Sequence, residues 1–272
     1  MRSLNFLKAV ALPTTMLVLV SACGSEAAKS TSPTTTLPPS TVSSSSSSAS
    51  TSTSASALST TTTTVPPTFA YLYVWPFRTV AEAQVWQRSY ESGGHQPWHL
   101  DPGITATGFT YFLGVNSDIG QVVKVTENAT GAHVALGFRN PNGVPVTAMT
   151  VHLVRISHGG DAPWEVVGDD QTSHITLTTP SYGATVSSPT RVRGRITGVD
   201  ESIRVGVYQW SSSPGKPIGE HCCLPAGGQS TPWTTTVSYS GATDPFFVIT
   251  ASTGGHLQGI EQMAFTAVRR RS

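Results

Sequence analysis

The spacing of apolar residues changes twice along this chain and divides it into three regions. A short apolar stretch covers residues 9–22, and Pro13, Thr14 and Thr15 interrupt it. Residues 23–68 contain few large apolar side chains, whereas from residue 69 onward apolar positions recur at the spacings of helices and strands. This pattern predicts a targeting segment, a disordered tether and about 200 folded residues, enough for two domains.

The first folded region, residues 69–170, opens with helix signals. Thr79 and Glu82 have the spacing of a capping box, and Ala83, Trp86 and Tyr90 repeat at helical intervals. These residues predict a helix that ends at the glycine pair 93–94.

A second helix and four strands are predicted in the rest of this region. Asp101 can cap the helix, Pro102 suits its first turn and Gly114 would end it. Strands fit residues 122–125, 133–138, 146–156 and 164–167, with an Asn-Pro-Asn-Gly turn at 140–143. We therefore expect an α+β domain with two helices on an antiparallel sheet. The closing sequence Trp-Glu-Val-Val-Gly resembles the last strand of cystatin-like and nuclear-transport-factor-like domains, which implies a pocket between helix and sheet.

The second folded region, residues 172–270, has the short strands and frequent turns of an all-β domain. Seven strands are predicted, at residues 175–179, 191–196, 203–210, 216–220, 233–239, 246–251 and 262–268. Residues 180–194 also follow the pattern Pro-Gly-Val-Ser-Pro-Val-Gly, with variable spacers. This pattern resembles the immunoglobulin-like domain associated with GerMN domains in bacterial germination and sporulation proteins. The resemblance implies a seven-stranded sandwich with a binding or scaffolding role and no known catalytic residues.

The end of the first apolar stretch carries a second resemblance. Leu-Val-Ser-Ala-Cys-Gly at residues 19–24 is similar to the lipobox of bacterial lipoproteins. That family implies cleavage after residue 22, diacylation of Cys23 and attachment to the outer face of the cell membrane, where two acyl chains anchor stably. An ordinary signal peptide that happens to end in cysteine is the alternative.

The segment after Cys23 cannot form a core. From residue 40 to residue 64, 20 of the 25 residues are Ser or Thr, without an aromatic or charged side chain. Such a segment buries too little apolar surface to offset its ordering entropy. Residues 23–68 are therefore predicted to be a disordered tether, which resembles the O-mannosylated tethers of actinobacterial exported proteins.

Charge and motifs exclude several functions. The formal net charge is +1 and only 11% of residues are charged, which argues against a nucleic-acid partner. The chain lacks a Gly-x-Ser-x-Gly elbow, a His-Glu-x-x-His motif and a phosphate-binding glycine loop. The sequence therefore predicts no enzyme, cofactor or metal, but a non-catalytic module that binds or scaffolds a glycan, lipid or protein of the cell envelope.

Histidines supply the alternative hypothesis, a cell-wall hydrolase. His95, His99 and Asp101 lie close together in the sequence, where they form either an acid–base or metal cluster or an ordinary loop. His133 and His152 fall on neighbouring predicted strands and could line a pocket with Tyr90 or Glu91, or simply face solvent. Asp169 and Asp170 suggest a cation only weakly, since the spacing of a calcium loop is missing, and an interdomain linker is the simpler interpretation.

Acylation of Cys23 would leave only the adjacent cysteines Cys222 and Cys223. Consecutive Cα atoms lie about 3.8 Å apart, below the usual span of a disulfide. An extracellular environment nonetheless favours oxidation, so a vicinal disulfide and two buried thiols both remain open. The preceding His221 suggests a zinc site, but the spacing of two adjacent cysteines argues against one. We expect this segment to be a loop.

Four arginines form the last candidate site. Arg191, Arg193 and Arg195 alternate with apolar or small residues, so all three should project from one face of a strand, and Arg204 on the next predicted strand could join them. Arginine suits carboxylates and phosphates. The pattern indicates either an anionic envelope polymer or lipid head group as partner, or an ordinary solvated face.

Overall fold

The computed structural model describes residues 70–128 and 131–272, and this part of the chain is mostly β structure with a few helices. The predicted signal segment, Cys23 and the predicted tether lie outside the described residues. Within those residues, no helix is long and apolar enough to cross a bilayer.

The first helix, α1, spans Val80–Gly93, as predicted. The Thr79 hydroxyl accepts the Glu82 N–H at 3.1 Å, and Gly94 ends the helix with φ of 71°. The Glu82 carboxylate accepts the N–H of Arg78 rather than that of Thr79. Only half of the predicted capping box therefore forms.

The second helix, α2, spans Pro102–Leu113 and also confirms its prediction. Asp101 Oδ1 accepts the Ile104 N–H at 2.9 Å, and Gly114 ends the helix with φ of 74°. A 3₁₀ turn at Pro97–Leu100 precedes α2, and the one-turn helix α3 at Asn116–Ile119 follows it.

Four antiparallel strands pair in chain order in the first sheet. They are β1 at Gln121–Glu127, β2 at Gly131–Arg139, β3 at Pro145–Arg155 and β4 at Trp164–Asp169. The Asn140 side chain organises the β2–β3 turn, since its Oδ1 accepts the N–H groups of Asn142 and Val144. The predicted helices and four-stranded meander are thus present.

The second sheet contains the remaining six strands. They are β5 at Ile175–Thr179, β6 at Thr185–Val186, β7 at Thr190–Tyr208, β8 at Gly219–Val237, β9 at Phe246–Thr253 and β10 at Gln262–Arg270. The order is β5-β7-β9-β10-β6, with β8 paired to β7. All pairings are antiparallel except β10 with β6.

The prediction of seven short strands was wrong at two places. The strands predicted at 191–196 and 203–210 are one strand, β7, and residues 219–220 and 233–237 belong to one strand, β8. The glycines expected to separate strands at 227–228 lie within β8, and Gly228 pairs with Gly198. Register shifts there and further along the pair allow both strands to change direction without ending.

Two main clusters of buried side chains hold the fold together. The larger combines α2 and the first sheet with β9 and β10, and Phe109 of α2 lies 5.0 Å from Phe265 of β10 between ring centroids. The second lies within the β5–β10 sheet and includes Ile196, Val205 and Trp233. The boundary predicted near residue 171 stays a prediction, although the larger cluster draws side chains from both sides of it.

Asp169, the last residue of β4, links the sheets and should make stability depend on pH. Its Oδ2 accepts the Phe265 N–H at 3.1 Å, and burial raises the pKa of the carboxyl from 3.8 to about 8. Between these values the folded chain holds a proton that the unfolded chain releases. The free energy of unfolding should therefore fall as the pH rises through this window.

Asp169→Asn keeps a neutral acceptor for Phe265 and should flatten this slope, as urea unfolding across the window would measure. Burial also raises the pKa of Glu165, so the variant should reduce the slope rather than remove it. Asp200→Asn, which alters an exposed carboxyl, is the matched control. Identical slopes in wild type and Asp169→Asn would contradict this assignment.

Candidate functional site

A concave cleft of about 930 Å³ lies between α1, the 3₁₀ turn and the segment that precedes α1. We call it the aromatic cleft because its walls include Trp75, Phe77, Trp86, Trp98 and Trp210. Ligand sites are typically concave and lined by apolar and aromatic side chains with a few polar groups.

Separate parts of the chain supply the tryptophans. Helix α1 contributes Trp86, which stacks on Tyr90 at 5.3 Å between ring centroids. The 3₁₀ turn contributes Trp98, which stacks on Trp75 at 5.4 Å. Trp210 follows the end of β7 and closes another side of the cleft.

A buried carboxyl fixes the segment that carries Trp75 and Phe77. Glu165 of β4 is completely buried, and its Oε2 accepts the Phe77 N–H at 3.0 Å. The adjacent Val166 donates its N–H to the Trp75 carbonyl at 2.7 Å. Burial raises the pKa of Glu165 well above its ordinary value. The wall of the cleft is thus attached to the edge of the first sheet.

His99 lies among the aromatic rings and is uncharged at neutral pH. Its ring centroid is 3.5 Å from that of Trp98, 4.7 Å from Trp86 and 4.8 Å from Phe77. Burial lowers its pKa to about 4, and within the described residues its Nδ1 has no hydrogen-bond partner. His99 therefore contributes a neutral polar group to an otherwise aromatic wall.

The predicted cluster of His95, His99 and Asp101 is only partly assembled. Both histidines line the cleft, and His95 is exposed at its surface. Asp101 instead caps α2. No group of three or more His, Cys, Asp or Glu side chains in residues 70–128 and 131–272 could hold a metal ion.

A smaller cavity of about 160 Å³ adjoins the aromatic cleft and shares Arg78, Thr79 and Trp210 with it. The Arg78 guanidinium carbon lies 4.8 Å from the centroid of the Trp210 ring, the geometry of a cation–π contact. Phe246 and Phe247 of β9 form part of its apolar wall.

His133 and His152 face each other on β2 and β3 and stack with centroids 4.7 Å apart. The expectation that Tyr90 or Glu91 lies beside this histidine pair was wrong, because Tyr90 stacks on Trp86 and Glu91 accepts a hydrogen bond from Gln87. Tyr71 and Asp170 lie beside the histidine pair instead: the Tyr71 ring is 5.9 Å from that of His152, and Asp170 contacts His133 Nδ1. Burial and the neighbouring His133 lower the pKa of His152.

Cys222 and Cys223 are joined in a vicinal disulfide. They were expected in a loop, but they lie on β8. Both stand opposite Arg204, between the pairs Ile203–Leu224 and Val205–His221. Two residues opposite one define a β-bulge, and Cys223 is exposed there with φ of 68°. Bonded to each other, the sulfurs are not free thiolates for a zinc site.

The four arginines divide into two groups. Arg191, Arg193 and Arg195 are exposed and alternate along β7 with the buried Val192, Gly194 and Ile196. Arg204 lies at the last register shift of β7, pairs across the sheet with Ser252 of β9 and forms an ion pair with Glu220. Arg204 was expected on the next strand, but it lies on β7 itself, and its participation in the same site stays a prediction.

Sequence reasoning missed the aromatic cleft. It placed Trp86 on the apolar face of α1 and Trp210 at the end of a strand. The close spacing of Trp75, Trp86 and Trp98 was an available signal. No local pattern brings Trp210 to the same place, because that contact depends on the packing of β9 and β10 against the first region.

Comparison of the chain with known protein families finds no matching family model, and a search of curated proteins finds no significant match. The functional assignment therefore depends on the chain's own residues.

The vicinal disulfide predicts a simple chemical result. In the unreduced folded protein, Cys222 and Cys223 should not react with iodoacetamide, whereas both should be alkylated after reduction, as mass spectrometry of the peptide would show. In the double variant Cys222→Ser/Cys223→Ser, that peptide should carry no label either before or after reduction. Alkylation of either cysteine before reduction would contradict the disulfide.

Proposed function

We propose that this chain is a lipid-anchored module of the bacterial cell envelope that binds a ligand without transforming it, and that the aromatic cleft takes a saccharide unit of that ligand. Acylated Cys23 would hold the protein to the outer face of the cell membrane, and residues 23–68 would carry the folded part outward. The lipobox-like residues 19–24 and the Ser/Thr-rich composition support this arrangement.

The observation that carries the proposal is the set of four tryptophan rings and one phenylalanine around the cleft. Flat aromatic faces pack against the apolar C–H faces of sugar rings, while the ring N–H groups can donate to sugar hydroxyls. Arg78 and Glu82 contribute opposite charges to the lining, and His99 is neutral at neutral pH. This balance favours a ligand that is uncharged where it meets the rings.

The domain assignments belong to the same proposal. Helices followed by a four-stranded meander support an α+β domain of the cystatin-like or nuclear-transport-factor-like kind. The second sheet, with its own buried cluster, supports an immunoglobulin-like sandwich related to the GerMN-associated domain. Both families suit a binding or scaffolding role.

A wall hydrolase that uses His95, His99 or His133 is the alternative. Glycoside hydrolysis ordinarily uses two carboxyl groups that flank the scissile bond. Glu82 is the one carboxylate among the described lining residues of the cleft, and it already accepts the Arg78 N–H. Binding without hydrolysis therefore fits this lining better.

The cleft is tested by titrating the purified full chain, in detergent micelles, with chitotetraose and soluble peptidoglycan fragments while tryptophan fluorescence is recorded. Trp98→Ala removes one stacking surface and should weaken binding roughly ten-fold, the equivalent of about 1.4 kcal/mol. Val85→Arg places a long side chain at the exposed wall and should block binding while leaving the tryptophans in place.

Tyr111→Ala is the matched control, because Tyr111 is an exposed aromatic residue outside the cleft. It should bind as the wild type does. Absence of saccharide binding by the wild type, or equal binding by all variants, would contradict the assignment. Release of reducing ends from the fragments would favour the hydrolase.

The anchor is tested separately in a bacterial host that processes lipoproteins. Cys23→Ser should abolish the incorporation of labelled palmitate and move the protein from the membrane to the soluble fraction. The double variant Cys222→Ser/Cys223→Ser should keep both label and membrane location. A Cys23→Ser protein that remains labelled and membrane-bound would rule out Cys23 as the acylation site.

A further inference from the structure

Three arginines form a row along the outer face of β7. Arg191, Arg193 and Arg195 are exposed, while the alternating Val192 and Ile196 belong to the buried cluster of the second sheet. Side chains two residues apart on a strand lie about 6.6–6.8 Å from each other. The row therefore presents three guanidinium groups over about 13 Å. We call these three residues the arginine row.

The residues that pair with the row across the sheet carry no negative charge. Strand β7 lies between β5 and β8 at Arg193 and Arg195, whereas at Arg191 it pairs with β8 alone. The cross-strand neighbours are uncharged, namely Thr176, Thr179, Pro232, Thr234 and Thr236.

Acidic residues are also absent from longer stretches of the sequence. Residues 171–199 contain no Asp or Glu, and neither do residues 221–243. Within the described residues, none of the three arginines takes part in an ion pair, in contrast to Arg204 and Arg155. The guanidinium groups of the row are therefore available to an external anion.

Hydrogen bonds orient two of the three side chains. Arg191 Nε donates to the Thr234 hydroxyl at 3.4 Å, and Arg195 Nη1 donates to the Ser230 carbonyl at 2.5 Å. Each guanidinium has five donors, so most of them remain free to bind a ligand.

A polar hollow continues the face at one end of the row. It has a volume of about 460 Å³, and Arg191 lines it together with the hydroxyl-bearing Thr178, Ser181, Thr185 and Ser187. Hydroxyl groups can both donate and accept hydrogen bonds, which matches the hydroxyls of a sugar or polyol. The row and hollow together combine anion recognition with hydroxyl recognition.

We propose that the arginine row is a second binding site, for an anionic envelope polymer built of phosphate-linked sugars or polyols. Successive phosphates of an extended chain would meet successive guanidinium groups, each able to form a forked pair of hydrogen bonds with one phosphate. The hollow beside Arg191 accommodates the hydroxyl-bearing unit between phosphates. This site is separate from the aromatic cleft and does not depend on the saccharide assignment made there.

The test compares two triple variants that remove the same charge from the full chain in detergent micelles. The first carries Arg191→Gln, Arg193→Gln and Arg195→Gln. The second, the matched control, carries Arg88→Gln, Lys124→Gln and Lys216→Gln at exposed positions away from the row and the hollow. Binding of a fluorescent poly(glycerol phosphate) is followed by anisotropy over a range of salt concentrations.

Wild type and control should bind the polymer with an affinity that falls as salt rises. The arginine-row variant should bind at least ten-fold more weakly. Its slope of log affinity against log salt should be shallower by about 2, since three phosphate contacts would be lost. Should the triple variant fail to fold, as judged by circular dichroism, Arg193→Gln alone should reduce the slope by about 0.7.

Competition identifies the chemistry that the row recognises. Polygalacturonate, which carries carboxylates, and single-stranded DNA, which carries phosphates on a different backbone, should displace the polymer less effectively than unlabelled poly(glycerol phosphate). Absence of binding, an equal loss in both triple variants, or preferential binding of either competitor would each overturn the proposal.

Discussion

The packing of Phe265 against α2 is the interaction on which the rest of the structure depends. Phe265 lies on β10 of the second sheet, yet its ring contacts Phe109 and its backbone N–H is held by Asp169 of the first sheet. This contact belongs to the larger buried cluster, which joins the two sheets. Because Trp210 follows the end of β7 in the second sheet, the same packing brings it to the lining of the cleft that Trp75 also lines.

The sequence predicted which helices and strands exist more accurately than it predicted where each strand ends. The caps at Thr79 and Asp101 and the glycines after each helix predicted both long helices correctly, because a cap is decided by residues within one turn. The β2–β3 turn was also predicted correctly, because the residues of the turn itself determine it. The long strands β7 and β8 were predicted in pieces, because residues that usually end strands lie within them. Gly228 stands beside register shifts, and Pro225 and Pro232 pair with residues of β7, which only the partner strand decides.

The candidate sites show the same difference between features that neighbouring residues determine and features that depend on residues far away in the sequence. Alternation along one strand predicted the exposed arginine row, but not the lack of acidic neighbours on β5 and β8, which requires knowledge of the strand order. The pairing of His133 with His152 followed from the hairpin register. Their contacts with Tyr71 and Asp170 did not, because these residues approach from outside the hairpin.

The segment that forms one wall of the cleft is also the first described part of the chain. Leu72 donates its N–H to the Tyr182 hydroxyl at 2.7 Å, and Trp75 pairs with Val166 at the edge of β4. Within the described residues, a pulling force applied at residue 70 would therefore load these few hydrogen bonds before the ladders that join the strands of either sheet. Tension on this end of the described chain and occupancy of the cleft would thus act on the same short segment.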